Sequence, residues 1–178
     1  MPDFKKSGLE TKHADRHPID LTTEVMATFP NGGRVVVYKD IDRTTEDFRR
    51  ILSCAKHFAK QGKQVVMPPK LDVPYKNSSY DVIYGSLKGT AYYGKCPDLL
   101  VDNVWYEHEG YNSENPKTNF SNMCKRGLRQ SDRIIVEDCG LTDGYLKRNI
   151  LIRQNEGQQI KELWVKKGNI LRLIYKAE

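Results

Sequence analysis

Cys96-Pro97-Asp98-Leu99-Leu100-Val101-Asp102-Asn103-Val104-Trp105-Tyr106-Glu107-His108-Glu109 is the stretch on which the fold turns. An apolar run, two residues that tolerate positive φ, and a second run of β-formers predict a hairpin around Asp102-Asn103. Successive side chains alternate faces along a strand, so Asp98, Leu100 and Asp102 share one face and Leu99 and Val101 the other. Glu107 and Glu109 share a face on the return strand. Pairing about the turn brings Asp98 toward Glu107, so two or three carboxylates converge. Like charges at close range raise each other's pKa unless a cation lies between them. Hard oxygen ligands select Mg²⁺ or Mn²⁺, so Asp98, Glu107 and Glu109 are the candidate metal ligands. A bound ion of this kind activates water against a phosphodiester.

Upstream, Val25 to Phe29 and Arg34 to Tyr38 flank Pro30-Asn31-Gly32-Gly33, a second hairpin, over 25–38. Thr44 or Thr45 caps a helix with Glu46 and Asp47 in its first turn and Phe48, Ile51, Leu52, Ala55, Phe58 and Ala59 at helical spacing. Gly62 ends it, and Gln64-Val65-Val66-Met67 forms a short buried strand stopped by Pro68-Pro69. Tyr80-Asp81-Val82-Ile83-Tyr84 is expected to be a strand. Lys88, Tyr92, Tyr93 and Lys95 interleave cationic and aromatic residues, as nucleic-acid contacts do.

Downstream, a helix begins near Pro116, with Phe120, Met123, Cys124 and Leu128 inward and Lys117, Lys125, Arg126 and Arg129 outward or toward the site. Ile134-Ile135-Val136 is a central strand. Thr142 caps a helix running to about Gln154, and a last hairpin turns at Lys167-Gly168-Asn169. The order of elements predicts an α/β (α+β) fold, a mixed central β-sheet flanked by helices. Residues 24–178 form one domain with its core over 45–175, and 1–23 a polar arm.

The chain has 178 residues, 38% apolar and 29% charged, enough for one self-sufficient core. A net charge of +6 favours polyanionic partners, RNA above all. Cys54, Cys96, Cys124 and Cys139 make no CxxC pair, so they read as reduced thiols rather than zinc ligands. Met1 to Asp20 lacks an apolar run, and no stretch is long enough to span a membrane. A cytoplasmic product is expected, or one delivered into a target cell without a signal peptide.

The order of helix, Gly62, strand ending at Pro68, Pro97-Asp98 with an apolar strand, an acid nine positions on, and a helix leading to Gln130-Ser131-Asp132-Arg133-Ile134-Ile135 resembles a known family. It is similar to the C-terminal tRNase toxin domain of CdiA-type contact-dependent growth inhibition proteins, which has a PD-(D/E)XK nuclease-like fold. The resemblance covers roughly 45–175. It implies a metal-dependent tRNase with Asp98 and Glu107 as metal-site acids, Lys125 or Arg126 as charge stabiliser, Gln130 before the Asp-Arg strand, and a cognate immunity protein as partner. Two positions depart from the pattern. The lysine two residues after the second acid is Glu109 here, and the acid of the first helix falls near Ile51, where Glu46 or Asp47 could substitute only if the helix register differs.

Those departures leave open an inactive nuclease-like domain that binds nucleic acid, or a protein-interaction domain of a mobile element or secretion system. A metal-independent RNase would instead use His108 with Tyr106, Lys125 or Thr118. His108 lies between two glutamates and so points away from them. Trp105 and Trp164 alternate with apolar neighbours and read as core.

Overall fold

A computed structural model describes residues 19–71 and 78–178. Most of the 1–23 arm, and the Pro- and Asn-containing stretch at 72–77, lie outside the described residues.

Eight strands form one mixed sheet in which spatial order equals chain order. β1 (Thr23–Thr28) and β2 (Arg34–Tyr38) form the first hairpin. Helix α1 (Glu46–Lys60) crosses over to β3 (Gln64–Met67), parallel to β2. Its Thr45 cap accepts a hydrogen bond from the Phe48 N–H, and Glu46 and Asp47 sit at the positive end of the helix dipole. β4 (Leu99–Val101) and β5 (Val104–Glu109) pair antiparallel about Asp102 and Asn103, both with positive φ, as an Asp-Asn turn requires. β6 (Arg133–Glu137) and β7 (Glu162–Lys167) continue parallel to β5, and β8 (Ile170–Lys176) closes the sheet as an antiparallel edge.

Residues 80–84 correct the strand expectation: they form a short helix, α2 (Tyr80–Tyr84), followed by a 3₁₀ turn at Gly85–Leu87. Tyr80, Ile83, Tyr84 and Leu87 are buried while Val82 is exposed, a spacing of three and four that only a helix satisfies. The β-branched and aromatic content of the segment suggested a strand, and packing overrode it. Tyr84 stacks on Trp105 with ring centroids 5.0 Å apart, and its hydroxyl donates to the Pro69 carbonyl at 2.8 Å.

Helices α3 (Pro116–Gly127) and α4 (Asp143–Asn155) carry Asn115 and Thr142 caps. One core joins α1 to Val35, Val65, Leu99, Tyr106 and Ile135. A second joins Phe120 and Met123 of α3, and Leu146 and Ile150 of α4, to Ile134, Val136 and Leu163. Because Ile134 and Ile135 point oppositely, α1 covers one face of the sheet and α3 with α4 the other. Two glycines permit close approaches: a Cβ on Gly33 would stand 1.7 Å from the Ala59 carbonyl oxygen, and one on Gly127 would stand 2.9 Å from Ile134 and 3.2 Å from Glu109. All four cysteines are free, and among the described residues no helix is long and apolar enough to cross a membrane.

Candidate functional site

The candidate site lies where β2, β3, β5, β6 and β7 end and β4 begins, so loops and strand ends from both halves of the chain meet there. Leu99 pairs with Tyr106, which sets Asp98 opposite Glu107. Asp98 is 5% exposed and Glu107 4%. The pair is built from main-chain hydrogen bonds: the Asp98 N–H donates to Glu107 Oε2 at 3.1 Å, and the His108 N–H donates to Asp98 Oδ2 at 3.0 Å. The remaining oxygen, Asp98 Oδ1, is buried with no hydrogen-bond partner among the described residues. Burial, and next the Asp98 carboxylate beside it, push the Glu107 pKa well above the usual carboxylate range.

Lys70 answers this charge. Its ammonium lies 3.2 Å from Asp98 Oδ1, close enough for an ion pair although not aligned as a hydrogen bond. Asp98, and after it Glu107, hold the Lys70 pKa above the usual lysine value. The lysine follows Pro68-Pro69, two buried residues whose rings restrict φ, so the chain delivers it on a stiff stem. Its side chain is 64% exposed, standing at the mouth of a cavity of about 340 Å³. Asp47, Ile51, Pro69, Lys70 and Asp98 are among the lining residues. Asp47 stands one helical turn before Ile51 and acts electrostatically on Lys70, so an acid does face this cavity from the first helix.

Lys70 is not among the residues the sequence assigns to this site, and Asp47 enters there only under a different helix register. A signal existed for the first. In the β3–β4 register Val66 faces Leu100 and Val65 faces Val101, so continuing the pairing sets Pro68 across from Asp98. Whatever follows the prolines must lie beside the acid.

Glu109 takes another course. Its Oε2 accepts from Arg126 Nε at 2.8 Å, and a second Arg126 nitrogen donates to the Gly110 carbonyl. Burial raises the Glu109 pKa, with Arg126 pulling it back. Gln130 Oε1 accepts from the Cys96 N–H at 3.4 Å, tying down the chain just before Asp98. Lys125 and Arg129 are exposed, one helical turn apart. Lys88 and Lys95 are exposed, while Tyr92 is half-buried against the Tyr84–Trp105 cluster. His108 points to the other face, as expected. Its Nε2 meets Glu137 Oε1 at 2.9 Å, Lys166 lies 3.3 Å from the same oxygen, and its side chain is 3% exposed. Buried against Glu137 and Lys166, it offers no route to a substrate.

A divalent cation fits Asp98 and Glu107. Mg²⁺ keeps most of its water and is held by one or two carboxylates, which two adjacent buried acids would supply, Asp98 Oδ1 having no hydrogen-bond partner although Lys70 lies 3.2 Å from it. Among the described residues no three His, Cys, Asp or Glu side chains form a ready-made cage, because Glu109 is directed to Arg126.

No family model and no curated protein matches this chain. Among solved structures, a chain of a CdiA-CT/CdiI toxin and immunity complex from Burkholderia pseudomallei is similar over 78% of this chain and 91% of that one, with 16% identity and a TM-score of 0.45. The chemistry of the site rests on its own geometry.

Proposed function

We propose that this protein cleaves phosphodiester bonds of nucleic acid, with RNA as substrate and Asp98, Glu107 and Lys70 at the reacting centre. The observation that carries this reading is the buried carboxylate pair with a lysine ammonium 3.2 Å from its unpartnered oxygen. Asp98 and Glu107 would hold Mg²⁺ or Mn²⁺, which when bound activates water and neutralises charge on the phosphoryl oxygens. Lys70 supplies a proton donor and a positive charge where negative charge develops, the part a lysine two residues after the second acid would otherwise play. Burial and the Asp98 carboxylate favour the protonated form of Glu107, so a cation held there would compete with that proton and its affinity would rise with pH. The Asp98 carboxylate is held in place by the His108 N–H. The resemblance in sequence motifs adds the finer expectation that tRNA is the substrate, that the chain acts as a delivered toxin, and that a cognate immunity protein covers the site.

One observation favours a second reading: the Glu109–Arg126 pair removes a third acid and a cation from the centre. A domain so built would bind nucleic acid without turnover. Incubating the pure protein, D98N and K70M with total RNA and with DNA, in Mg²⁺, Mn²⁺ or EDTA, separates the two. RNA cleavage that is lost in EDTA and in both variants supports the nuclease. Salt-sensitive binding with no cleavage in any divalent ion supports the binding domain and overturns the proposal.

A further inference from the structure

The catalytic pair does not account for where this chain keeps its unpaired positive charge. Some basic side chains are matched: Lys63 with Asp102, Lys70 with Asp98, Arg126 with Glu109, Lys161 with Asp132 and Lys166 with Glu137 all lie within ion-pair distance. Lys88, Lys95, Lys125 and Arg129 are exposed and scattered, whereas Arg49, Lys56 and Lys60 gather along one groove. They recur along one stripe of α1, all exposed, and among the described residues none has a carboxylate within ion-pair distance. The acids of this helix, Glu46 and Asp47, are confined to its first turn, and Glu46 is engaged by Arg50.

This stripe is concave rather than a convex solvated face. The β7–β8 turn folds onto the helix, where Ser53 Oγ donates to Asn169 Oδ1 at 2.9 Å and His57 Nδ1 accepts the Leu171 N–H. The result is a groove of about 360 Å³ lined by Arg49, Lys56, Lys60, Ser53, His57 and Asn169. With its oxygen taken by Ser53, Asn169 keeps its amide hydrogens as donors. His57 is held below the usual imidazole range by burial and then by Lys60, and both its ring nitrogens are engaged, Nδ1 by the Leu171 N–H and Nε2 by the Gln61 side-chain amide at 3.1 Å, so it shapes the groove wall. At a rise of about 1.5 Å per residue, Arg49 to Lys60 spans about 16 Å, the reach of several consecutive phosphates. The same helix carries Asp47 into the catalytic cavity two residues before Arg49.

We infer that the groove between α1 and the β7–β8 turn is a second binding site, which holds the phosphate backbone of the RNA strand away from the reacting centre. The inference rests on the nuclease reading for its ligand, and its own test is separable. R49Q/K56Q/K60Q removes three exposed charges and no core contact. Binding of a labelled single-stranded RNA, followed by fluorescence anisotropy in EDTA across a salt series, should show the slope of log K against log salt falling by about 2, at about 0.7 per lost phosphate contact. With Mg²⁺ present, KM for the same RNA should rise while cleavage of a dinucleotide is unchanged. RNA binding with an unaltered slope overturns the inference and leaves the nuclease reading standing. A variant that loses binding of polyglutamate but keeps its RNA slope also overturns it, in favour of an acidic protein partner. Wild-type protein that neither binds nor cuts RNA removes the nuclease reading, and this inference with it.

Discussion

Replacing Lys70 with methionine keeps the length of the side chain and deletes the charge that faces the buried acids. Two unit charges 3.2 Å apart interact by about 1 kcal/mol in bulk water and about 5 kcal/mol at an effective dielectric of 20. Asp98 sits at the low-dielectric end, its side chain 2% exposed, and Lys70 at the screened end, 64% exposed. Discounting for that screening gives a loss of about 1–3 kcal/mol, more than a wholly exposed pair supplies. The sign of the pH dependence follows. Lys70 has a raised pKa, so its contribution is complete below the ordinary lysine value and disappears only in strong alkali. The gap between wild type and K70M should therefore be full at pH 8, and urea unfolding without divalent ions at that pH measures it. A gap under about 0.5 kcal/mol there would show that the two charges stand near each other without interacting.

Glu107 follows the same rule in a lower pH window. Its raised pKa means that its share of stability is present below the usual glutamate value and is lost as pH rises through the folded value, so E107Q should melt higher than wild type at pH 8 and alike at pH 4. A lower melting temperature for E107Q at pH 8 would count against the burial argument; cleavage should be lost in either case. Added Mg²⁺ should raise the wild-type melting temperature, by an amount equivalent to about 2.7 kcal/mol at a hundred times Kd, and leave E107Q unmoved. G33A forces the Ala59 carbonyl aside and should cost about 2–4 kcal/mol in chemical unfolding, whereas alanine at the unobstructed Gly144 should be nearly neutral. R126Q leaves Glu109 buried without its cation. It should destabilise by about 1–3 kcal/mol at pH 8 and less at pH 4, read by the same urea titrations.

Local chemistry made most of the fold legible. Asp102-Asn103 and Asn31-Gly32 declare tight turns, Thr45 and Thr142 declare helix starts, and the apolar run Leu99-Leu100-Val101 declares a buried strand. Such signals lie within a few residues of what they specify. The failure at 80–84 has the same origin seen from the other side: five residues of mixed propensity were decided by Trp105, some twenty positions away. At the site, Asp98 and Glu107 were found because one hairpin holds both. Lys70 was missed because its proximity depends on β3 pairing with β4, and a search at fixed spacing after the second acid finds Glu109 instead. Asp47 substitutes for the acid expected near Ile51 without any shift of helix register, since one turn separates it from Ile51 along the same cavity.

The sheet's identity of spatial and chain order has a mechanical consequence. β1 and β8 are its two borders and also its first and last strands, and each strand touches only its predecessor and successor. A pull on β1 can therefore peel it from β2 as one ladder a few residues long, whereas β8 and its turn are also held to α1 through the Leu171 N–H on His57 and Ser53 on Asn169. Had a terminal strand been inserted at the middle of the sheet, the whole structure would have to yield at once. For a protein proposed to pass from one cell into another, this path of low mechanical resistance would ease threading through a narrow pore, and refolding could retrace the same sequence of neighbours.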